Sequence, residues 1–187
     1  TFEKNPNYWA TDKQGNKLPY LDGVEFKFGS TLQNRQQMVL SGEVDLALSI
    51  EPGAGAADLA AQGYNMVVVK DVNNELYFDT TSQGSPWTKK EVREAAEYAI
   101  DKEALAKGLG FGFADALYQI APSSTSAFDP DFAGARKYDI EKAKQLLAAA
   151  GYPNGFETTI VLSPVGVNPD IATAVQGYWS AVGIKAQ

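Results

Sequence analysis

The chain of 187 residues contains no cysteine and no histidine. Without cysteine there is no disulfide, no thiolate nucleophile and no zinc-thiolate site, a composition that suits an exported bacterial protein as well as many cytosolic ones. Histidine is the commonest metal ligand and general base near neutral pH, so its absence excludes Ser-His-Asp chemistry and histidine-based metal centres. No apolar run reaches the roughly eighteen residues that a bilayer-spanning helix needs, and no lipidation motif occurs. Basic surface is also missing. Sixteen Lys and Arg are scattered among twenty-three Asp and Glu for a net charge of −7, which leaves no stripe to neutralise phosphates and argues against nucleic acid as a partner. The sequence opens on Thr1 with no signal-like segment before the folded pattern, so any export signal lies outside it and the expectation is a piece of a longer chain.

What is present favours folding. With 44% hydrophobic and 21% charged residues, the chain can bury enough apolar surface to offset the entropy of ordering it. Its length suits a single domain. Val24 to Phe28 alternates apolar and charged residues in the period-two pattern of a strand, after which Ser30 and Gln33 fit a capping box for a helix that Gly42 closes. Further strands are expected at Asp45 to Ile50, Met66 to Val69, Leu76 to Thr80 and Thr158 to Leu162, with another starting at Ile184, and a short helix at Ala56 to Gln62. Thr88 and Glu91 read as a second capping box, opening a helix whose inner face is Val92, Ala95, Ala96, Ala99 and Ile100. Asp101 and Asp139 read as caps of two more helices, the second carrying Ala143, Leu146, Leu147 and Ala150 up to Gly151. Asn168 and Pro169 open the last, lined by Ile171, Ala174, Val175, Tyr178, Trp179 and Val182. The span from Gly108 to Arg136 reads mostly as loop. Strands alternating with helices give an α/β class, with a mixed sheet flanked by helices.

Most chemistry-like motifs have a plainer account. Gly108, Gly110 and Gly112 are spaced G-x-G-x-G after a helix, unlike a phosphate-cradling loop, and read as a helix exit. Asp129 to Phe132 lacks the spacing of a calcium loop and reads as a proline-nucleated turn. Asp101, Asp139, Glu91 and Asp22 are assigned to caps and a turn, which discounts them as catalysts. Trp9, Tyr20, Tyr77, Trp87, Phe111, Phe113 and Tyr118 fall in loops or on an exposed strand face where an aromatic ring could stack on a ligand. Tyr178 and Trp179 are assigned to the core, and Tyr8 and Trp9 to packing down the N-terminal segment. Tyr77 and Tyr118 remain the better ligand candidates. Asp79 shares the accessible face of Tyr77 because successive strand side chains point oppositely.

Six blocks occur in a recognisable order: FEKNPNYW (Phe2 to Trp9), LPYLDGVEFKF (Leu18 to Phe28), SGEVDLAL (Ser41 to Leu48), PWTKKEVREAAEYAIDKEAL (Pro86 to Leu105), YDIEKAKQLLAAAGYPNGF (Tyr138 to Phe156) and WSAVGIK (Trp179 to Lys185). Together they cover nearly the whole chain, and the sequence resembles extracellular solute-binding protein family 5, the dipeptide, oligopeptide and nickel-binding components of ABC transporters. It departs from the pattern at Lys89, Glu91 and Asp79, where Asp, Arg and often Asn stand in the family. The resemblance implies a two-lobed protein that closes on its solute, with this chain as the second lobe, inserted between the halves of the first. It further implies that the loop at Ser49, Ile50, Glu51 and Pro52 faces the cleft, as does the loop from Pro164 through Val165 to Asn168. The family's aspartate for a peptide amino terminus lies beyond Gln187.

Ligand-binding candidates are therefore Ser49, Ile50, Glu51, Pro52, Tyr77, Asp79, Tyr118, Val165 and Asn168, with no catalytic residue, metal or cofactor. The expected partners are a peptide or small-molecule ligand, an ABC-transporter membrane permease and the remaining lobe of the same polypeptide, at the periplasmic or extracellular face of the membrane. Two rival readings are a hydrolase using a carboxylate pair on the same scaffold and a signalling or chaperone-like role.

Overall fold

Side-chain caps at one end and glycines at the other set most helix limits. A computed structural model describes every residue except Pro52, Asp71, Val72, Ala133 and 164–167. The chain forms two units, Thr1–Glu51 and Pro52–Gln187.

In the first unit, β1 (Phe2–Glu3) pairs antiparallel with β2 (Gly23–Val24), Phe2 opposite Val24. The Lys4 amide extends the pairing to the Asp22 carbonyl at 2.8 Å, and the Phe2 and Phe26 rings meet edge to face at 5.7 Å. Helix α1 (Leu32–Leu40) starts one residue later than the sequence suggests. Thr31, not Ser30, is its cap, accepting from the Asn34 amide. Its end is as expected: Gly42 adopts φ +71°, and the Gly42 and Glu43 amides return to the Val39 and Met38 carbonyls in a Schellman closure. The expected strand at 24–28 stops at Val24, and 45–50 forms no ladder among the described residues. A strand exists only through its neighbour, and no ladder partner continues the pairing past Val24 or meets 45–50 among the described residues. Phe28 is consequently 96% exposed. None of the described side chains of this unit is buried.

In the second unit, α2 (Ala54–Ala61) buries Ala56 and Leu59 and ends at Gly63, again with φ near +88°. Segments 66–69 and 76–80 form no ladder among the described residues, and the β-branched run expected to be buried leaves Val67 80% exposed. A 3-10 turn at Pro86–Thr88, capped by Ser85, leads into α3 (Lys90–Tyr98). The predicted Thr88–Glu91 box does not form. Pro86 nucleates the turn one step earlier, and the Thr88 hydroxyl donates back to the Ser85 carbonyl at 2.8 Å, leaving Lys89 as an uncapped N-terminus. Helix α4 (Lys102–Gly110) is capped by Asp101 and α5 (Ile140–Ala149) by Asp139, each accepting the amide three residues on. The described residues of the intervening span are loop with one 3-10 turn at Pro130–Phe132, beside which the Asp129 carboxylate accepts from the Asp131 amide.

Strand β3 (Phe156–Thr158), helix α6 (Pro169–Ser180) and β4 (Ile184–Ala186) form a βαβ unit, β3 and β4 parallel with Phe156 opposite Ile184. β3 begins two residues before the expected strand. The crossing at its start admits only glycine, since a Cβ on Gly155, itself at φ +75°, would lie 1.9 Å from the Gly183 carbonyl oxygen. The α/β class holds, but the described residues contain two separate two-stranded pairs in place of one mixed sheet.

The core of this unit matches the predicted helix faces. Val92, Ala95, Ala96 and Ala99 meet Ala143, Leu147 and Ala150, with Val175, Trp179, Val182 and Ile184 on the other side. Alanines at the α3–α5 contact bring the two helices close, so volume is tightly set there. Leu147, 1% exposed, is the largest side chain in that seam. Leu147→Ala is expected to cost about 2–5 kcal/mol, against about 1 kcal/mol for removing the cap with Asp139→Ala. Urea denaturation followed by far-UV circular dichroism measures both, and equal losses would contradict this account of the core.

Candidate functional site

In the first unit the candidates occupy its final residues. Ser49 is exposed and carries φ +57°, a left-handed conformation unusual for a residue with a Cβ. Ile50 is half-buried and Glu51 exposed. The Arg35 guanidinium, projecting from α1, donates from Nη2 to the Ser49 carbonyl at 3.1 Å and from Nη1 to the Gly29 carbonyl at 3.2 Å. Arg35 was not a sequence candidate. Nothing in a polar, helical position foretells a bond to a carbonyl fourteen residues away. Pro52 and Val165 lie outside the described residues.

In the second unit, Tyr77 is 89% exposed, its hydroxyl donating to Glu75 at 2.6 Å, which pushes the phenol pKa up. Its ring faces are free for stacking. Two residues on, the Asp79 carboxylate accepts from the Ser82 amide at 3.0 Å and the Thr81 amide at 3.2 Å, an Asx turn that ends the extended segment. Those amides, Ser82 first, hold the Asp79 carboxyl below its ordinary 3.8. Tyr118 is half-buried, its hydroxyl donating to Glu103 at 3.1 Å and the Lys102 ammonium standing 4.6 Å from its ring centre. Burial and then the Glu103 contact raise its pKa. Asn168 spends its side-chain oxygen on the Asp170 amide as the cap of α6. Among the described residues no hydrogen bond joins these four to one another.

The segments of Tyr77 and Tyr118 are nevertheless strapped together. Lys70 pairs with Asp115 at 2.5 Å, the Asn73 amide donates to the Ile120 carbonyl at 2.7 Å, and the Ser124 hydroxyl to the Lys70 carbonyl at 3.0 Å. These contacts span some fifty residues of sequence, beyond the reach of local patterns.

Two aromatic assignments are corrected. Trp87 is core, 7% exposed and stacked on Phe78 at 4.6 Å. Trp9, 86% exposed and beside Tyr8, does not pack the N-terminal segment down. Tyr20 is engaged locally, donating to Asp12, whose carboxyl is thereby lowered to about 2 with help from Asn16 and Gln14. Among the described residues no cluster of acidic side chains is placed to hold a metal, and no helix is long and apolar enough to cross a membrane. The available groups are a free aromatic face, hydroxyls, carboxylates and main-chain polar groups, which suit holding a solute.

Comparison with known proteins names the class. The family model for bacterial extracellular solute-binding proteins, family 5 Middle, matches residues 1–187, and the chain belongs to that family, whose members bind solutes and are not enzymes. It is 34% identical over 192 residues to heme-binding protein A of Haemophilus influenzae, covering 98% of this chain and 33% of that protein. It is 32% identical to the glutathione-binding protein GsiB of Salmonella choleraesuis, covering 99% of this chain and 35% of that protein. Among solved structures, the periplasmic binding protein AgaA of A. tumefaciens R10 in complex with agropinic acid superposes with a TM-score of 0.68 at 30% identity, over 90% of this chain and 34% of AgaA. DppA of Helicobacter pylori, at 24% identity and a TM-score of 0.71 over 99% of this chain and 34% of DppA, shares the fold. The chain spans about a third of the length of the relatives it matches.

The Asx turn makes a testable claim. A carboxyl held below its ordinary pKa stabilises the turn fully above that ordinary value, and the contribution is lost as pH falls through the lower folded value. NMR titration should therefore find Asp79 ionised below pH 3.8, while Asp79→Asn, which keeps the acceptor oxygen, should preserve the turn at neutral pH. An Asp79 midpoint at or above 3.8 would show that the turn amides do not hold the carboxylate.

Proposed function

We propose that the chain is the inserted lobe of a longer solute-binding protein and supplies one half of a binding cleft for a peptide or similar small solute. One observation carries the reading: a family of solute binders matches the chain from its first residue to its last. The structure supports the half-site part of it. Segments 45–50, 64–70 and 73–80 form no helix, carry apolar side chains and have no ladder partner among the described residues, as expected of chain whose sheet neighbours come from another part of a polypeptide. The residues proposed to meet the solute are Ser49, Ile50 and Glu51 in the first unit and Pro52, Tyr77, Asp79, Tyr118, Val165 and Asn168 in the second. Tyr77 stacks on the solute through its free face, and Ser49 to Glu51 offer hydroxyl, carboxylate and main-chain groups.

On this reading the protein captures its solute at the periplasmic or extracellular face and delivers it to an ABC-transporter permease. Lobe closure is a hinge motion that the solute drives by touching both sides. The ligands named for the relatives, glutathione among them, define the panel to test.

Thermal unfolding of the full-length polypeptide, beside residues 1–187 alone, against reduced glutathione, di- and oligopeptides and haem is the direct test. A solute at about 100 times its dissociation constant stabilises by about 2.7 kcal/mol. The full-length protein is expected to shift with one class and the 187-residue chain not to; an equal shift in both would refute the half-site. In the full-length protein, Tyr77→Ala should weaken the bound class about three- to tenfold, as loss of one aromatic stack does.

A further inference from the structure

Between Val44 and Glu51 the chain runs without secondary structure to the candidate residues Ser49, Ile50 and Glu51. The Val44 amide is fastened to the Met38 carbonyl of α1 at 3.2 Å, and beyond it one hydrogen bond among the described residues ties this segment down: Arg35 Nη2 to the Ser49 carbonyl. That bond falls on Ser49 itself, whose φ of +57° is unfavourable for an L-residue with a side chain and so benefits from a contact that holds it there.

Arg35 is built for the task. It sits within the second turn of α1, its own amide bonded to the Thr31 carbonyl at 3.1 Å, so its root is fixed by the helix. Its Nη1 bond to the Gly29 carbonyl fixes the other edge of the guanidinium plane. Gly29 leaves the space the arm needs, since a Cβ there would lie 2.6 Å from Arg35 Cγ. The guanidinium has no carboxylate partner within 4.0 Å among the described residues, and its Nε is buried without a partner. A charged donor given to two main-chain carbonyls in place of an ion pair makes the stronger kind of hydrogen bond, and its fork fixes the angle between them.

We propose that Arg35 is the positioning residue of this binding loop: by clamping the Gly29 and Ser49 carbonyls it holds Ser49 left-handed and presents Ser49 to Glu51 to the solute in one conformation. The consequence for affinity rests on the solute-capture reading above, whereas the ordering of the loop does not. A loop ordered before binding loses less entropy on capture.

Hydrogen exchange and calorimetry on the full-length protein separate the two. In Arg35→Ala, exchange across 46–51 is expected to rise tenfold or more, with the helices of residues 86–187 unchanged, and reduced glutathione to bind at least tenfold more weakly. Arg35→Lys, which reaches one carbonyl at a time, should fall between. Adding Ser49→Gly to Arg35→Ala should recover part of the affinity, because glycine enters the left-handed region without a clamp. Gly29→Ala keeps the charge but displaces the arm, and should reproduce the local exchange increase if Arg35→Ala folds poorly. Unchanged exchange across 46–51 in both variants overturns the proposal, and so does a loosened loop with undiminished glutathione affinity. If the unaltered protein takes up no glutathione, the capture reading fails for that solute, and the exchange result alone decides whether Arg35 orders the loop.

Discussion

Two indoles hold the larger unit together. Trp87 and Trp179 lie 5.3 Å apart, with Phe78 and Phe156 packed on Trp87 at 4.6 and 5.1 Å, so the extended segment at 76–80, the 3-10 turn, β3 and α6 converge on one aromatic cluster. A buried indole N–H must find an acceptor, and each acceptor here belongs to a different element. Trp179 donates to the Ala96 carbonyl of α3 at 3.0 Å, and Trp87 to the Thr158 hydroxyl of β3 at 3.1 Å. The cluster thus sets orientation as well as burial: α6 can rotate against α3, or the turn slide along β3, only by stranding a donor. Tyr77 and Asp79 flank Phe78 in the chain, so the anchoring of Phe78 in this cluster fixes the root of two candidate residues.

Around this centre charge closes what carbon leaves open. Glu97 on α3 accepts from Lys102, at 2.6 Å, and from Arg136, tying the start of α4 and the end of the long loop to the same helix. Both partners are well under half exposed, which gives these contacts more weight than the surface pairs Lys90–Glu94 or Lys144–Glu141. Lys89, where the family pattern has an acid, donates to the Ala150 carbonyl at the end of α5 at 2.6 Å and lies 5.0 Å from the Tyr152 ring. A cation at a helix C-terminus complements the exposed carbonyls there, so an acid at this position would oppose the same dipole.

The helices were legible and most of the strands were not, β4 at Ile184 excepted, for one physical reason. A helix carries its hydrogen bonds within the segment, so Asp101, Asp139, Asn168, Gly42, Gly63 and Gly151 mark ends from sequence alone, and Val92, Ala95 and Ala96 mark the buried face. A strand's partners lie elsewhere in the chain. The period-two pattern at 24–28 and the valines at 67–69 report that an element suits a sheet, not that its neighbour is alongside. Failure at the Thr88–Glu91 box has a different cause, since Pro86 redirects the backbone before the cap position is reached. The aromatic errors share a third: residue type says a tryptophan is valuable in a core, and only tertiary structure says that Trp87 reaches one and Trp9 does not. Among the candidate residues, the exposure of Tyr77 was foreseeable from alternation, whereas the straps from Lys70 to Asp115 and Asn73 to Ile120, and the reach of Arg35 to Ser49, were not.

The contrast between the units bears on how such a protein can work. The larger one has a hydrophobic core on which its candidate residues are mounted. The first fifty-one residues bury none of their described side chains and leave Phe26, Phe28, Leu46 and Leu48 more than half exposed, although hydrophobic burial is the main driving force of folding. On the proposed reading the remainder of the polypeptide covers these groups. The loop that carries Ser49 then lies within 45–51, one of the segments that lack a ladder partner, so pairing of that segment with the remainder of the polypeptide would also seat the loop. Ligand affinity and folding would be coupled at that point through a few residues, and Arg35, anchored in a helix that forms its own hydrogen bonds, supplies the part of that order that is already present before the sheet is complete.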